Sequence, residues 1–75
     1  MIRLHIVYQK DNKSYEVYFS LGQTLARNIM ELNRLLSISM DSKINVVDSE
    51  GNSIELYHCT VEQLGLKEGQ FLFVF

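Results

Sequence analysis

The sequence contains no proline, no tryptophan, one cysteine and four glycines, no two of them adjacent. Each scarcity excludes something. With no low-complexity or linker-like stretch, 75 residues hold a single domain, with no room for a catalytic cleft between lobes. The lone Cys59 excludes an internal disulfide and cannot build a zinc site by itself, which fits a reducing compartment. Gly22, Gly51, Gly65 and Gly69 each stand alone at element ends, so no phosphate-cradling loop is present. No apolar run approaches the roughly 18 residues of a membrane span, and Met1 leads straight into a strand-like segment rather than a signal peptide. Seven basic side chains against nine acidic ones give a net charge of −2, which weakens any case for nucleic acid or an anionic membrane. What is present, 47% hydrophobic and 21% charged residues, is the balance of a folded globular chain. Such a domain buries roughly 60% of its unfolded surface and reaches a net stability of about 4–11 kcal/mol. The expectation is a cytoplasmic, one-core domain that is not an enzyme and carries no cofactor.

Period-two alternation opens the chain. Ile2, Leu4, Ile6 and Tyr8 fall on one face, Arg3, His5 and Val7 on the other. After the polar stretch Gln9-Lys10-Asp11-Asn12-Lys13, alternation returns with Tyr15, Val17 and Phe19 inward, so the two runs predict an antiparallel hairpin. The period then lengthens. Thr24 is placed to cap a helix, and Leu25, Ile29, Leu32 and Leu36 are spaced as one helical face. Arg27, Glu31 and Arg34 fall opposite, with Glu31 in reach of either arginine. This long helix is predicted to fade near Ser37, leaving Ile38 and Met40 over the end of the core. Lys43 to Val47 reads as a strand with Ile44 and Val46 inward, Asp48-Ser49-Glu50-Gly51-Asn52 as a turn, and Ile54-Glu55-Leu56 as a short strand. Thr60 to Leu66 reads as one helical turn, capped by Thr60 and ended by Gly65, before the closing strand Phe71-Leu72-Phe73-Val74-Phe75.

One helix cannot cover both faces of a four- or five-stranded sheet, so one face stays bare or meets a partner. The most apolar strands, first and last, belong at the centre as a parallel pair joined by a right-handed crossover. The expected class is α+β, a β-grasp: a mixed sheet on one long helix, with a short helical turn before the last strand. At this point the residues resemble a family. Thr60-Val61-Glu62-Gln63-Leu64-Gly65-Leu66-Lys67-Glu68-Gly69-Gln70-Phe71-Leu72, with the element order, is similar to ubiquitin-like domains over essentially the whole chain. In length, in Leu36-Ser37-Ile38-Ser39-Met40 and in Gly65-Leu66-Lys67-Glu68-Gly69-Gln70 it resembles the small YukD-like proteins of bacterial type VII secretion systems. That resemblance implies a cytoplasmic accessory protein with a secretion-system component as partner. The alternative is a ubiquitin-like adaptor domain from a larger protein. Ubiquitin-type modifiers and sulfur carriers need a flexible Gly-Gly tail to thread a narrow activating site. This chain has no Gly-Gly and ends at Phe75 inside its last expected strand, so conjugation is not expected.

The alternation also predicts a surface. With Leu72 and Val74 toward the helix, Phe71, Phe73 and Phe75 point away, joined by Arg3, His5 and Val7, by Tyr18 of the hairpin, and by Asn45 and Val47. Three phenylalanines stand where a solvated face would carry charges, and such a cluster marks an interface. The protein-binding candidates are therefore Phe71, Phe73, Phe75, Tyr18, His5 and Val47. The occupant is a protein partner or, through the same face, a second copy of the chain. Three structural alternatives stand beside this: a one-residue slip that buries the phenylalanines beneath the helix, a loop that covers them, and an end strand that is simply apolar and pairs with itself in a crystal. The remaining chemistry is thin. His58 and Cys59 are neighbours without the further ligands a metal needs, and His58 is poorly placed as a base for Cys59. Glu16, Glu31, Glu50, Glu55, Glu62 and Glu68 are scattered and read as solvating charges. Phe71 and Phe73 alternate like the stacking aromatics of RNA-binding sheets, but the basic residues are dispersed and the second full helix of that fold is missing, so no nucleic acid is expected.

Overall fold

A computed structural model describes residues 1–39 and 43–75. Strands β1 (Ile2–Tyr8) and β2 (Lys13–Phe19) form the hairpin, helix α1 (Leu25–Leu35) follows, then strand β3 (Val46–Val47), helix α2 (Val61–Leu64) and strand β4 (Gln70–Val74). The sheet order is β2-β1-β4-β3. β1 runs antiparallel to β2 and parallel to β4, in a register that sets His5 beside Phe71, and β3 is antiparallel to β4. First and last strands thus form the central parallel pair, as the mixed α+β arrangement requires.

Burial follows the alternation. Ile2, Leu4, Ile6 and Tyr8 from β1 and Leu72 and Val74 from β4 are buried against Leu25, Ala26 and Ile29 of α1, with Val46, Leu56, Val61 and Phe19 closing the sides. Thr24 caps α1, its Oγ1 accepting from the Arg27 N–H at 3.2 Å. In α2, Thr60 and Gln63 bond each other's backbone N–H groups, and Gly65 takes the left-handed φ of +68° that ends the turn.

Four expectations need correction. The helix is not long: it has 11 residues, about the average for a globular protein. It stops before Leu36, which is 37% exposed instead of completing the apolar stripe. There the Ile38 N–H donates to the Asn33 carbonyl at 2.8 Å and the Ser37 N–H to that of Arg34 at 3.3 Å, while Ser37 sits at φ +56°. This is a Schellman closure with serine where glycine is usual, and it satisfies the last carbonyls at Ser37, where the helix is predicted to fade. The third strand shortens from Lys43–Val47 to Val46–Val47, extended only by the backbone pair Asn45–Phe75. Ile54-Glu55-Leu56 makes no strand. After the single bridge Val47–Ser53 and a bond from the Ile54 N–H to Val46, the chain leaves the sheet so that the Leu56 carbonyl can accept from the Ala26 N–H at the start of α1. Glu31 forms no ion pair with Arg27 or Arg34 among the described residues, in keeping with the few tenths of a kcal/mol such exposed pairs are worth. Met40, expected over the end of the core beside the half-buried Ile38, lies outside the described residues.

Two buried asparagines were not foreseen. The Asn28 Oδ1 accepts from the Ser20 N–H at 2.9 Å, and its Nδ2 donates to the carbonyls of Ser20 (3.1 Å) and Thr24 (3.0 Å), tying the loop from β2 to the first turn of α1. At the other end of the helix the Tyr8 hydroxyl donates to the Asn33 Oδ1 in the core. Burial, with Tyr15 packed edge-on at 5.9 Å, pushes the Tyr8 pKa up from its ordinary 10 to about 12. The unfolded chain therefore ionises first: the contribution of Tyr8 is intact below about pH 10 and is lost as pH climbs toward 12. Urea unfolding across that range should show wild type losing stability more steeply than Tyr8→Phe, which lacks the titrating group and starts about 1–3 kcal/mol lower at neutral pH. Equal slopes would refute the assignment. Ser37→Gly should raise stability by about 0.5–1 kcal/mol, seen as a higher Tm, because glycine meets no steric penalty at that φ.

Candidate protein-interaction surface

The outer face of the sheet is built in rows by the strand register. Arg3 lies beside Tyr18; His5 lies between Glu16 and Phe71; Val7 lies between Ser14 and Phe73, which in turn adjoins Val47. Phe75 follows, its N–H and carbonyl both bonded to Asn45 at 2.9 Å. The phenylalanines are not beneath α1; Leu72 and Val74 are.

The six candidate residues are not equally placed. His5, Phe71, Phe73 and Val47 converge. The imidazole of His5 stacks on the Phe71 ring at 4.5 Å with planes 13° apart, and Phe73 is flanked by two valines. Phe71 is 44% exposed, while Phe73, His5, Val7 and Val47 are half-buried by one another. Tyr18, though 62% exposed, sits two strands away from β4 beside Arg3, and Phe75 lies at the opposite end of the sheet. Phe75 also borders a cavity of about 370 Å³ at the hairpin end, lined by Tyr8, Tyr15, Ile38 and Lys10 among others. The apolar centre is therefore the Phe71–Phe73 pair with its neighbours, and Tyr18 and Phe75 are corners.

An ion-pair cluster borders this centre. Arg3 Nη1 donates to Glu16 Oε2 at 3.2 Å and Arg3 Nε to Glu68 Oε2 at 3.1 Å, while His5 Nε2 lies 3.9 Å from the same Glu16 oxygen. The Arg3 N–H donates to Glu68 Oε1, and its carbonyl accepts from the Gly69 N–H at 2.7 Å. A Cβ on Gly69 would stand 3.2 Å from the guanidinium, at a φ of +79° that L side chains resist. Glu16 and Glu68 are thus more than the solvating charges expected of them. They hold the Arg3 side chain across the sheet margin, and the parallel register that unites them could not be read from their spacing. Their energetic weight is small, because half-exposed pairs contribute about 0.2–1 kcal/mol each.

Other titratable groups serve turns. Backbone N–H groups of the 48–52 turn, that of Asn52 first, lower the Asp48 pKa; the Tyr57 N–H and then the His58 side chain lower that of Glu55. His58 Nδ1 is 2.8 Å from Glu55 Oε1 and largely in solvent. No cluster of three or more His, Cys, Asp or Glu able to hold a metal occurs among the described residues, and none of their helices is long and apolar enough to cross a membrane.

No protein-family model matches this sequence, and a search of curated proteins finds no match. Solved structures do match. The ubiquitin-like domain of Arabidopsis thaliana protein At2g32350 superposes with a TM-score of 0.73 at 14% identity, covering 99% of this chain and 74% of that one. The fold is ubiquitin-like. A protein designed computationally on the template of human erythrocytic ubiquitin gives a TM-score of 0.74 at 19% identity, covering 100% and 90%. The ubiquitin-like domain of tubulin-binding cofactor B gives 0.69 at 17%, covering 97% and 86%. At these identities the likeness is one of backbone, so the ubiquitin-like fold is established and the surface must be argued from its own side chains.

The two sides of β4 make a direct contrast. Leu72→Ala should cost about 2–5 kcal/mol in chemical unfolding, while Phe71→Ser should stay within about 1 kcal/mol of wild type. Reversed magnitudes would place the aromatic side in the core.

Proposed function

We propose that this ubiquitin-like domain is a non-enzymatic protein-interaction module that docks partners on its outer sheet face. One observation carries the reading: Phe71, Phe73, Val7 and Val47, with His5 stacked on Phe71, make an uncharged centre on the face opposite α1, where solvent alone would favour charges. The partner presents an apolar anchor to Phe71 and Phe73 and polar groups to the Arg3–Glu16–Glu68 margin. Burying two phenyl rings contributes on the order of 3–6 kcal/mol before the costs of association.

The finer reading is that of a cytoplasmic accessory protein of a bacterial type VII secretion system, with a component of that system as partner. It is supported by the sequence resemblance in Leu36 to Met40 and Gly65 to Gln70. A second reading, an adaptor domain within a larger protein, draws support from two of the similar structures, which are themselves domains of other proteins.

Capture from the source cell, followed by titration of each purified candidate, tests the surface. Phe73→Asp should keep the wild-type circular dichroism spectrum and lose at least about 30-fold in affinity, the effect of a central hot-spot residue. Unchanged affinity in a folded Phe73→Asp protein would remove the sheet face from the function. Sedimentation over a concentration series identifies the case in which the partner is a second copy, because the dimer should then vanish in the same variant.

A further inference from the structure

α1 turns Ala26 and Ile29 to the sheet and leaves a second surface behind it. On that surface Met30 is 60% exposed, and Tyr57, from the loop after Leu56, is 57% exposed. With the side of Ala26 they floor a shallow groove of about 460 Å³ walled by Arg27, Glu31 and Arg34. Arg27 and Arg34 are seven residues apart, two helical turns or about 10 Å along the axis, with Met30 between them on the same strip. Neither guanidinium makes an ion pair or a side-chain hydrogen bond with any described residue, in contrast to Arg3, which is held by two carboxylates. Two free forks and one carboxylate give the groove a positive balance on a chain whose net charge is −2.

We propose that this groove is a second docking site, separate from the sheet face, for an acidic peptide segment of a partner protein that carries a short apolar centre between flanking carboxylates. The charge complementarity sets the flanks: each free guanidinium offers paired N–H donors matched to a carboxylate. The floor sets the centre: Met30 is a flexible thioether that accommodates an apolar side chain, and the Tyr57 ring packs against it. A long polyanion is a poorer occupant, because Glu31 stands in the strip and the rest of the chain repels it. The site does not depend on the sheet-face reading, and occupancy of both would make the domain a bridge.

The probe is a fluorescein-labelled peptide with the centre Glu-Asp-Leu-Phe-Asp-Glu, followed by anisotropy and by amide shifts in ¹⁵N spectra of the full chain. Binding should shift amides of Arg27, Met30, Arg34 and Tyr57 and spare those of Phe71 and Phe73. Affinity should drop roughly tenfold or more in Arg27→Glu/Arg34→Glu and in the milder Arg27→Gln/Arg34→Gln, which guards against a folding defect. It should also drop when the central Leu-Phe becomes Ser-Ser, and it should not change in Phe73→Asp. Four results would overturn the proposal: no binding, shifts confined to the sheet face, equal binding of a peptide with lysines in place of its acidic residues, or preferential binding of a single-stranded RNA oligomer.

Discussion

The pairing of the first strand with the last, parallel and in the register that sets His5 beside Phe71, is the constraint on which the rest of this domain depends. A strand has two sides and a period of two, so one register decision sorts every side chain of β4. Leu72 and Val74 go beneath α1 with Leu4 and Ile6, and all four become essentially inaccessible. Phe71 and Phe73 must then go to the other side. The same register brings Glu68 and Gly69, remote in sequence, against Arg3, which the hairpin already holds beside Glu16. The core, the aromatic face and its charged margin are three consequences of one pairing.

The interior is completed by polar groups that fix where the helix begins and ends. Asn28 satisfies the loop leaving β2 with three hydrogen bonds, and Tyr8 reaches Asn33 near the last turn. Buried amides are acceptable because they are satisfied, and unlike the Leu25 and Ile29 contacts they are directional. An apolar stripe alone could slide along the sheet by a turn. Hydrogen bonds at both ends of α1 specify its position, and the bond from the Ala26 N–H to the Leu56 carbonyl adds a third anchor from the later part of the chain.

This division of labour explains what could be read from the sequence. Alternation in Ile2–Tyr8 and Phe71–Phe75, the threonine caps and Gly65 are local signals, and they located the hairpin, both helix starts, the closing strand to within one residue (it runs Gln70–Val74, leaving Phe75 outside) and the parity of its aromatics. The rest lay in competition between elements. Ile54 to Leu56 has strand composition, yet its backbone was claimed by the start of α1. The helix ends near Ser37 as its spacing predicts, but Leu36, fitted to the apolar stripe, is its cap before the left-handed Ser37 and is left partly exposed. Nothing in the spacing singles out Asn28 and Asn33, because their partners, Ser20 and Tyr8, are set by packing. Of the candidate surface, the Phe71–Phe73 centre was legible from period two. That His5 joins it by stacking while Tyr18 and Phe75 fall to opposite corners required the register between strands.

The proposed docking on the broad face accords with how the edges of the sheet are defended. An exposed edge invites strand addition, and both edges here discourage it. β3 is two residues long, too short to template a strand, and beyond it the chain turns away at Asp48. β2 is longer, but it carries Lys13 at its start and Glu16 at its middle, and Glu16 is engaged by Arg3 across the face. The broad face has no such protection: its middle presents aromatic and aliphatic carbon, and its charges are confined to one margin. Association through backbone pairing is therefore opposed while association through side chains is left open. That asymmetry separates the α1 side of the sheet, where the stability resides, from the outer side, on which the proposed recognition rests.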